Sequence, residues 1–202
     1  MVERSLADGG RSAPPPEVRL LLARHARTSW TGVRYCGSAA DPGLDDAGRL
    51  EAAALAERLR LLGLTRPALY ASTLARARET AAIVGVALGI PMVTDDRIRE
   101  VDLGACGGLT FAEVSSRYPL VAEALTTRRL DFDWPAGETA AGVRKRVDSF
   151  WREVVEPATA DLIVVAHGLL LAGLLAARGL PATAFPPAGC LELARDPLRV
   201  VS

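Results

Sequence analysis

Asp161-Leu162-Ile163-Val164-Val165-Ala166-His167-Gly168 is the most strand-like run in the chain, five apolar residues led by a carboxylate and stopped by an imidazole and a glycine. Such a run has no polar alternation, so it suits a strand buried on both faces, as in a parallel sheet covered by helices on each side. A second run of the same make-up lies near the start, Val18-Arg19-Leu20-Leu21-Leu22-Ala23-Arg24-His25, interrupted only by Arg19 before its basic end. Working outward, helix and strand signals alternate. Asp45 is a good N-cap for a helix carrying Leu50, Leu55, Leu59 and Leu62 and stopped by Gly63. Residues 68–71 form a short strand, after which Ser72 caps a helix reaching about Leu88, with Gly89 as terminator. Residues 91–94 read as a third strand.

Thr110-Phe111-Ala112-Glu113 has the spacing of a capping box, so a helix begins there and ends near Tyr118-Pro119. Val143, Val147, Phe150, Trp151 and Val154 keep helical spacing from about Thr139 until Pro157 halts it. Residues 169–178 read as a helix ended by Gly179, and residues 191–194 and 198–201 as a closing edge pair. Strands alternating with helices predict an α/β fold, a three-layer α/β/α sandwich with a mostly parallel central sheet.

At 202 residues the chain has the length of one domain, expected over residues 17–202. Residues 1–16, polar with Pro14-Pro15-Pro16, read as a flexible leader lacking the apolar core of a signal peptide. Half of the residues are apolar, and 24 basic groups balance 24 acidic ones. That excludes a disordered chain and gives no reason to expect nucleic-acid or anionic-membrane binding. The one lysine, Lys145, sits in Arg144-Lys145-Arg146 with no glycine-rich loop before it, which argues against P-loop and Schiff-base chemistry. Three cysteines at irregular spacing, Cys36, Cys106 and Cys190, suit a reducing compartment rather than a disulfide framework. Residues 162–177 are free of charge but too short to span a bilayer. A soluble cytoplasmic protein is expected.

The chain contains two histidines, His25 and His167. Each stands at the carboxyl end of an apolar run, just before a turn, where open α/β sheets place ligand sites. One such histidine would read as a hydrogen-bonded strand end; two with the same surroundings point to a shared site. Arg24 adjoins His25. Arg76, one turn into the helix after residue 71, leans back toward a helix N-terminus, which itself favours an anion. Arg78 points elsewhere and solvates the helix. Two arginines and two histidines meeting at one point repel each other unless an anion fills the site, and a phosphoryl group with a charge of about −1.5 to −2 would do so.

The residues Leu22-Ala23-Arg24-His25-Ala26-Arg27-Thr28 resemble the Arg-His-Gly signature of the histidine phosphatase superfamily, its phosphoglycerate-mutase-like branch. The resemblance continues in family order through Gly43-Leu44-Asp45-Asp46-Ala47-Gly48-Arg49, Ser72-Thr73-Leu74-Ala75-Arg76-Ala77, Ile98-Arg99-Glu100-Val101-Asp102-Leu103-Gly104, Gly137-Glu138-Thr139 and Val165-Ala166-His167-Gly168. It implies a phosphoglycerate-mutase-like fold. It implies His25 as a nucleophile that is transiently phosphorylated, Arg24, Arg76 and His167 as holders of the phosphoryl oxygens, and Glu100 as the general acid. Thr28, Thr31, Gly37 and the amide of Gly168 would complete the pocket, with no metal and no cofactor.

Some positions depart from the family pattern. Ala26 replaces the usual Gly, and Arg27, where many members carry Glu, either widens the positive field or faces solvent, the second being favoured. Thr31 replaces an Asn that commonly touches the phosphate, leaving a hydroxyl donor. Ala105-Cys106-Gly107 replaces a bulkier, often acidic stretch and alters the substrate rim; Cys106 reads as a small filler rather than a nucleophile.

The implied activity is that of a metal-independent histidine acid phosphatase-type enzyme hydrolysing a small-molecule phosphomonoester. The segment from Glu100 to Glu138 is shorter than the resemblance implies for mutases and admits water, which favours hydrolysis over phosphoglycerate mutase activity. A catalytically weak phosphate-binding or regulatory domain is a further alternative, against which Glu100 speaks. A homodimer is left open. Asp131-Phe132-Asp133 has aspartyl-phosphate spacing without a preceding strand, Asp95-Asp96 reads as a cap, and Gly104 to Gly108 lacks the setting of a dinucleotide loop. Arg128-Arg129 could reach a second acidic group of the substrate, and Arg144-Lys145-Arg146 reads as a solvated helix face.

Overall fold

The computed structural model describes residues 18–127, 131–181 and 183–201, so the leader expected at 1–16 lies outside the described residues. Strands β1 (Arg19–Arg24), β2 (Ala68–Ala71), β3 (Met92–Thr94), β4 (Leu162–Ala166), β5 (Cys190–Arg195) and β6 (Leu198–Val200) form one sheet. Their order is β3-β2-β4-β1-β5-β6. The pairs β1/β4, β4/β2 and β2/β3 are parallel, and β5 joins antiparallel to β1 and to β6.

The two apolar runs lie side by side at the sheet's centre, and they are buried on both faces for the reason their composition suggests. Leu20 and Leu22 of β1 and Val164 of β4 pack on one face with Phe150 and Leu170, whereas Leu21, Ala23, Ile163 and Val165 pack on the other with Leu55 and Leu59. Helices α1 (Asp46–Leu61) and α2 (Ala75–Leu88) cover the second face, and α5 (Ala140–Phe150) and α6 (Gly168–Ala176) cover the first. This is the expected three-layer sandwich. A third apolar cluster, with Val101, Leu103, Cys106 and Trp134, builds a cap with α3 (Phe111–Arg117) and α4 (Pro119–Thr127).

Local signals set most helix starts. Asp45 accepts the Gly48 N–H at 2.7 Å, Thr139 accepts that of Gly142 at 3.0 Å, and Thr110 and Glu113 form the anticipated capping box. Two expectations need correction. Leu50 and Leu62 are exposed; the buried stripe of α1 is Ala52, Leu55, Ala56 and Leu59, small enough to let α1 lie close against α2. Helix α2 begins at Ala75 after Leu74, without a side-chain cap from Ser72. Helix α3 ends at Arg117 as expected, and a further helix, α4, follows at once from Pro119, because proline is well placed as the first residue of a helix, where its missing N–H has no partner to lose. Among the described residues no helix is long and apolar enough to cross a membrane.

The amino ends of the central strands are tied by one carboxylate. Asp161 accepts the backbone N–H groups of Arg19 (3.0 Å) and Thr65 (2.9 Å) and pairs with the Arg19 guanidinium at 2.9 Å. Burial pushes its pKa up, but the Arg19 bonds and the Thr65 amide outweigh that and hold it below the usual carboxylate range. Replacement Asp161→Ala strands both amides and the guanidinium. It should cost roughly 3 kcal/mol of stability in urea unfolding, against under 1 kcal/mol if the carboxylate were only a surface charge.

Candidate active site

The parallel ladders run one residue past the strand ends. His25 N–H donates to the Ala166 carbonyl at 2.9 Å, and Ser72 N–H donates to the Val165 carbonyl at 3.0 Å. Three chain segments far apart in sequence therefore leave the sheet at the same edge. The ring centroids of His25 and His167 are 5.2 Å apart with their planes at 57°. A cavity of about 380 Å³ opens there, lined by Arg24, His25, Thr28, Thr31, Gly37, Arg76, Glu100 and Gly168 among others. His167 is wholly buried and adjoins it through His25.

The tautomer of each imidazole follows from its neighbours. Nδ1 of His25 lies 2.7 Å from the Ala26 carbonyl, and only a protonated nitrogen can bond a carbonyl, so Nδ1 carries the hydrogen and Nε2 keeps its lone pair. Nε2 of His167 lies 2.8 Å from the Ser72 hydroxyl. That hydroxyl is fully buried, and its oxygen already accepts the Leu74 N–H at 3.2 Å. Its proton has one partner among the described residues, His167 Nε2, which therefore accepts, and the hydrogen of His167 sits on Nδ1. Both rings stay neutral. Burial, then the charges of Arg24 and Arg76, lower the His25 pKa to about 3 despite the Ala26 bond. Burial, then Arg76, His25 and Arg24, push that of His167 well below its ordinary value.

Among the described residues, three buried side-chain nitrogens lack a hydrogen-bond partner: Arg24 Nε, Arg76 Nε and His167 Nδ1. They belong to the three side chains the sequence assigned to the phosphoryl oxygens. Outer nitrogens of both guanidiniums are engaged elsewhere. Arg24 Nη1 donates to the Phe185 carbonyl at 2.9 Å. Arg76 donates from Nη2 to the Gly37 carbonyl (2.7 Å) and from Nη1 to the Ala40 carbonyl (3.0 Å) and Asp41 (3.2 Å). Gly37 thus meets Arg76 through its own carbonyl. Its φ of +58° and the Leu103 side chain, 2.8 Å from where a Cβ would stand, leave room only for glycine. Leaving a donor unpaired in a buried site costs roughly 1–3 kcal/mol, more when charged, so the cluster favours an anion with several oxygens.

Glu100 is buried at the mouth of α6. Its Oε1 accepts the N–H groups of Val101 and Leu170, each at 3.0 Å, and its Oε2 that of Leu169 at 3.4 Å. The segment before it is pinned by Arg146, which pairs with Glu138 (2.7 Å) and donates to the carbonyls of Arg97 (2.7 Å) and Arg99 (2.8 Å). The expectation that Arg144-Lys145-Arg146 is a solvated face is thus corrected at Arg146, which turns inward because Glu138 and three carbonyls offer it partners. Thr28 and Thr31 line the cavity with their hydroxyls 3.3 Å apart. Arg27 is half-exposed and pairs with Asp45, and Arg78 is exposed. Cys106 is a buried filler of the cap. Arg128-Arg129 lie outside the described residues.

Sequence reasoning missed Asp41, which both pairs with Arg76 and accepts the Ala75 N–H at 2.7 Å, standing in for the absent cap of α2. It also missed the bond from Ser72 to His167. Neither leaves a periodicity or a spacing to read.

A mostly parallel sheet that delivers a neutral imidazole into a ring of N–H donors defines an enzyme that handles phosphoryl groups. The sequence profile of the histidine phosphatase superfamily (branch 1) matches residues 20–194, and the chain belongs to that superfamily. It is 32% identical over 137 residues to phosphoserine phosphatase 1 of Hydrogenobacter thermophilus, a match covering 68% of this chain and 64%, just under two thirds, of that protein. It is 29% identical over 169 residues to the probable phosphoglycerate mutase GpmB of Yersinia pestis, covering 83% and 78% of the two chains. A mycobacterial glucosyl-3-phosphoglycerate phosphatase solved with VO3 superposes with a TM-score of 0.75 at 29% identity, over 91% of this chain and 96% of that one. Phosphoglycerate mutase of Thermus thermophilus gives 0.72 at 28% identity, over 92% and 97%.

Inorganic phosphate should stabilise the protein by about 2.7 kcal/mol at a hundredfold excess over its Kd, a rise in Tm of about 5–10 °C. A melting point indifferent to phosphate would contradict the role given to the three orphan donors. Neither imidazole should titrate in the folded state between pH 8 and 5, and with two histidines in the chain their C–H resonances are simple to follow by NMR. The sign follows: the unfolded rings take up protons below about pH 6.5 and the folded ones do not, so stability falls as pH drops from there. A resonance with a midpoint near 6.5 would show the burial to be wrong.

Proposed function

We propose that this protein hydrolyses small phosphomonoesters through a phosphohistidine formed at Nε2 of His25, without a metal ion. The observation that carries the reading is the set of three unpaired buried N–H donors grouped around one neutral imidazole. The phosphatases named among its relatives support the same class of enzyme.

Nε2 of His25 attacks phosphorus in line with the leaving oxygen, and the bond from phosphorus to that oxygen breaks. Charge gathers on the three remaining phosphoryl oxygens, where Arg24 Nε–H, Arg76 Nε–H and His167 Nδ1–H donate; fixed donors at that place supply most of what phosphoryl transfer asks of a protein. Glu100 gives a proton to the departing alkoxide. Water then attacks the phosphohistidine, Glu100 takes the proton it loses, and orthophosphate leaves with His25 restored. The two guanidiniums do the charge stabilisation that a metal ion does in other phosphatases.

A second reading, phosphoryl transfer between the hydroxyls of phosphoglycerate, is favoured by the relatives named as mutases. It requires the phosphohistidine to outlast contact with water and rephosphorylate a bound product. Interconversion of 2- and 3-phosphoglycerate dependent on a bisphosphorylated primer, faster than phosphate release, would decide for it.

His25→Ala should abolish phosphate release from p-nitrophenyl phosphate. Glu100→Gln should slow alkyl esters by about 10²–10³-fold but the nitrophenyl ester, whose leaving group needs no proton, by less than about tenfold. Equal losses on both substrates would remove Glu100 from the acid role. Turnover should persist in EDTA; its complete loss would show that a metal takes part.

A further inference from the structure

Beyond the ring of donors, much of the described wall of the cavity is apolar, with Arg34 and Thr183 as polar exceptions. Trp30, Val33 and Tyr35 come from the loop after β1, Phe111 and Leu125 from α3 and α4, and Ala172 from α6. Val33 is 57% and Phe111 49% exposed, large hydrophobic side chains held open to solvent at the mouth of a cleft rather than tucked into the cap. Apolar surface kept exposed in a cleft that also carries convergent polar groups is characteristic of a ligand site.

The charged residues of the described lining are Arg24, Arg76, Glu100 and Arg34. The first three belong to the phosphoryl group and the leaving oxygen. Arg34 Nη1 donates to the Gly108 carbonyl at 2.7 Å and faces Glu113 at 3.6 Å, and Glu113 is itself held by Thr110 in the capping box of α3. Arg34 is thus already engaged by a carbonyl and a carboxylate, and a substrate carboxylate seated beside Phe111 and Val33 would gain nothing from their apolar surface, whereas an apolar group would.

We infer that the cavity selects phosphomonoesters whose alcohol portion is apolar, of the size of a phenylalkyl group, over those that carry a second anionic group such as a carboxylate. The inference rests on the reading of this site as a phosphomonoesterase and adds the class of leaving group. Phe111 and Val33 are its specificity-determining residues: they touch the body of the substrate and take no part in bond breaking. This distinguishes the chain from relatives whose names specify phosphorylated serine or glucosylated phosphoglycerate.

The test compares 2-phenylethyl phosphate with O-phosphoserine and 3-phosphoglycerate, all esters of alkyl alcohols, so that an arylate's leaving ability does not enter. The phenylethyl ester should have a kcat/KM at least about tenfold higher. Phe111→Ala, which keeps Thr110 and Glu113 and so the start of α3, should lower that ratio by about tenfold. The non-hydrolysable 2-phenylethylphosphonate should likewise bind at least about tenfold tighter than 3-phosphonopropionate in calorimetry.

Turnover of all three esters with the carboxylated ones equal or preferred would overturn the inference and leave the phosphatase reading standing. Release of phosphate from none of them, with the phosphonate preference intact, would sink the hydrolytic reading and support the chemistry assigned to the wall. A ratio unmoved by Phe111→Ala would remove that side chain from the specificity site and overturn the assignment.

Discussion

The register between β1 and β4 places Arg24 opposite Ala166 and continues into the bond from His25 N–H to the Ala166 carbonyl. The side-chain period of a strand is two, so a slip of one residue would turn Leu21 and Ala23 to the face now filled by α5 and α6 and carry His25 away from His167. The hydrophobic pattern of the core therefore enforces the alignment of the active groups. Leucines and valines on two faces hold the register, and the register holds two imidazoles with centroids 5.2 Å apart. The same ladder seats β2 on β4, which brings Ser72 to His167 and Arg76, one helical turn on, to the cavity.

What this alignment assembles is electrostatically unfavourable by itself. Burial lowers the guanidinium pKa of Arg24, opposed by Glu100 and reinforced by Arg76, while both imidazoles are driven neutral. The fold offsets the repulsion with oriented carbonyls more than with carboxylates: Phe185 for Arg24, and Gly37 and Ala40 for Arg76, with Asp41 as the one acidic hydrogen-bond partner among the described residues. These partners take Nη1 of Arg24 and both Nη groups of Arg76, and each Nε is left without a partner among the described residues. Among the described residues Glu100 is held by backbone amides of α6 and of its own neighbour rather than by an arginine.

Much of this arrangement was legible because it is carried by runs and by ends of runs. Uninterrupted apolar stretches mark strands buried on both faces, and a histidine closing each marks the edge where parallel strands finish. Arg76 could be placed because helical geometry fixes where a side chain one turn from the N-terminus leans. What escaped was set by tertiary partners. Ser72 is a good N-cap by type, yet His167 competes for its hydroxyl and α2 starts two residues later, capped across the loop by Asp41. Arg146 sits in a run of three basic residues whose solvation is a sound default, overridden once Glu138 and the carbonyls of residues 97 and 99 converge on it. Leu50 is in phase with the apolar face of α1 only loosely, and alanines, which carry little weight in a hydrophobic count, make the actual contact with α2.

Neutral histidines also resolve an apparent conflict between affinity and reactivity. A protonated His25 would bind a phosphate dianion well and attack it not at all, since its lone pair would be occupied. A neutral His25 in solvent would attack but contribute nothing to gathering charge. On the proposed reading the cleft separates the two tasks: guanidiniums, which keep their protons at any ordinary pH, supply the attraction, while burial first and their charges second keep the imidazole deprotonated. His167 takes a third course, for it donates a hydrogen bond while uncharged, and Ser72 makes that possible by filling its other nitrogen. The hydroxyl of Ser72 thereby decides which nitrogen of a buried ring is left with a hydrogen to donate, the one that on the proposed reading meets the phosphoryl oxygens.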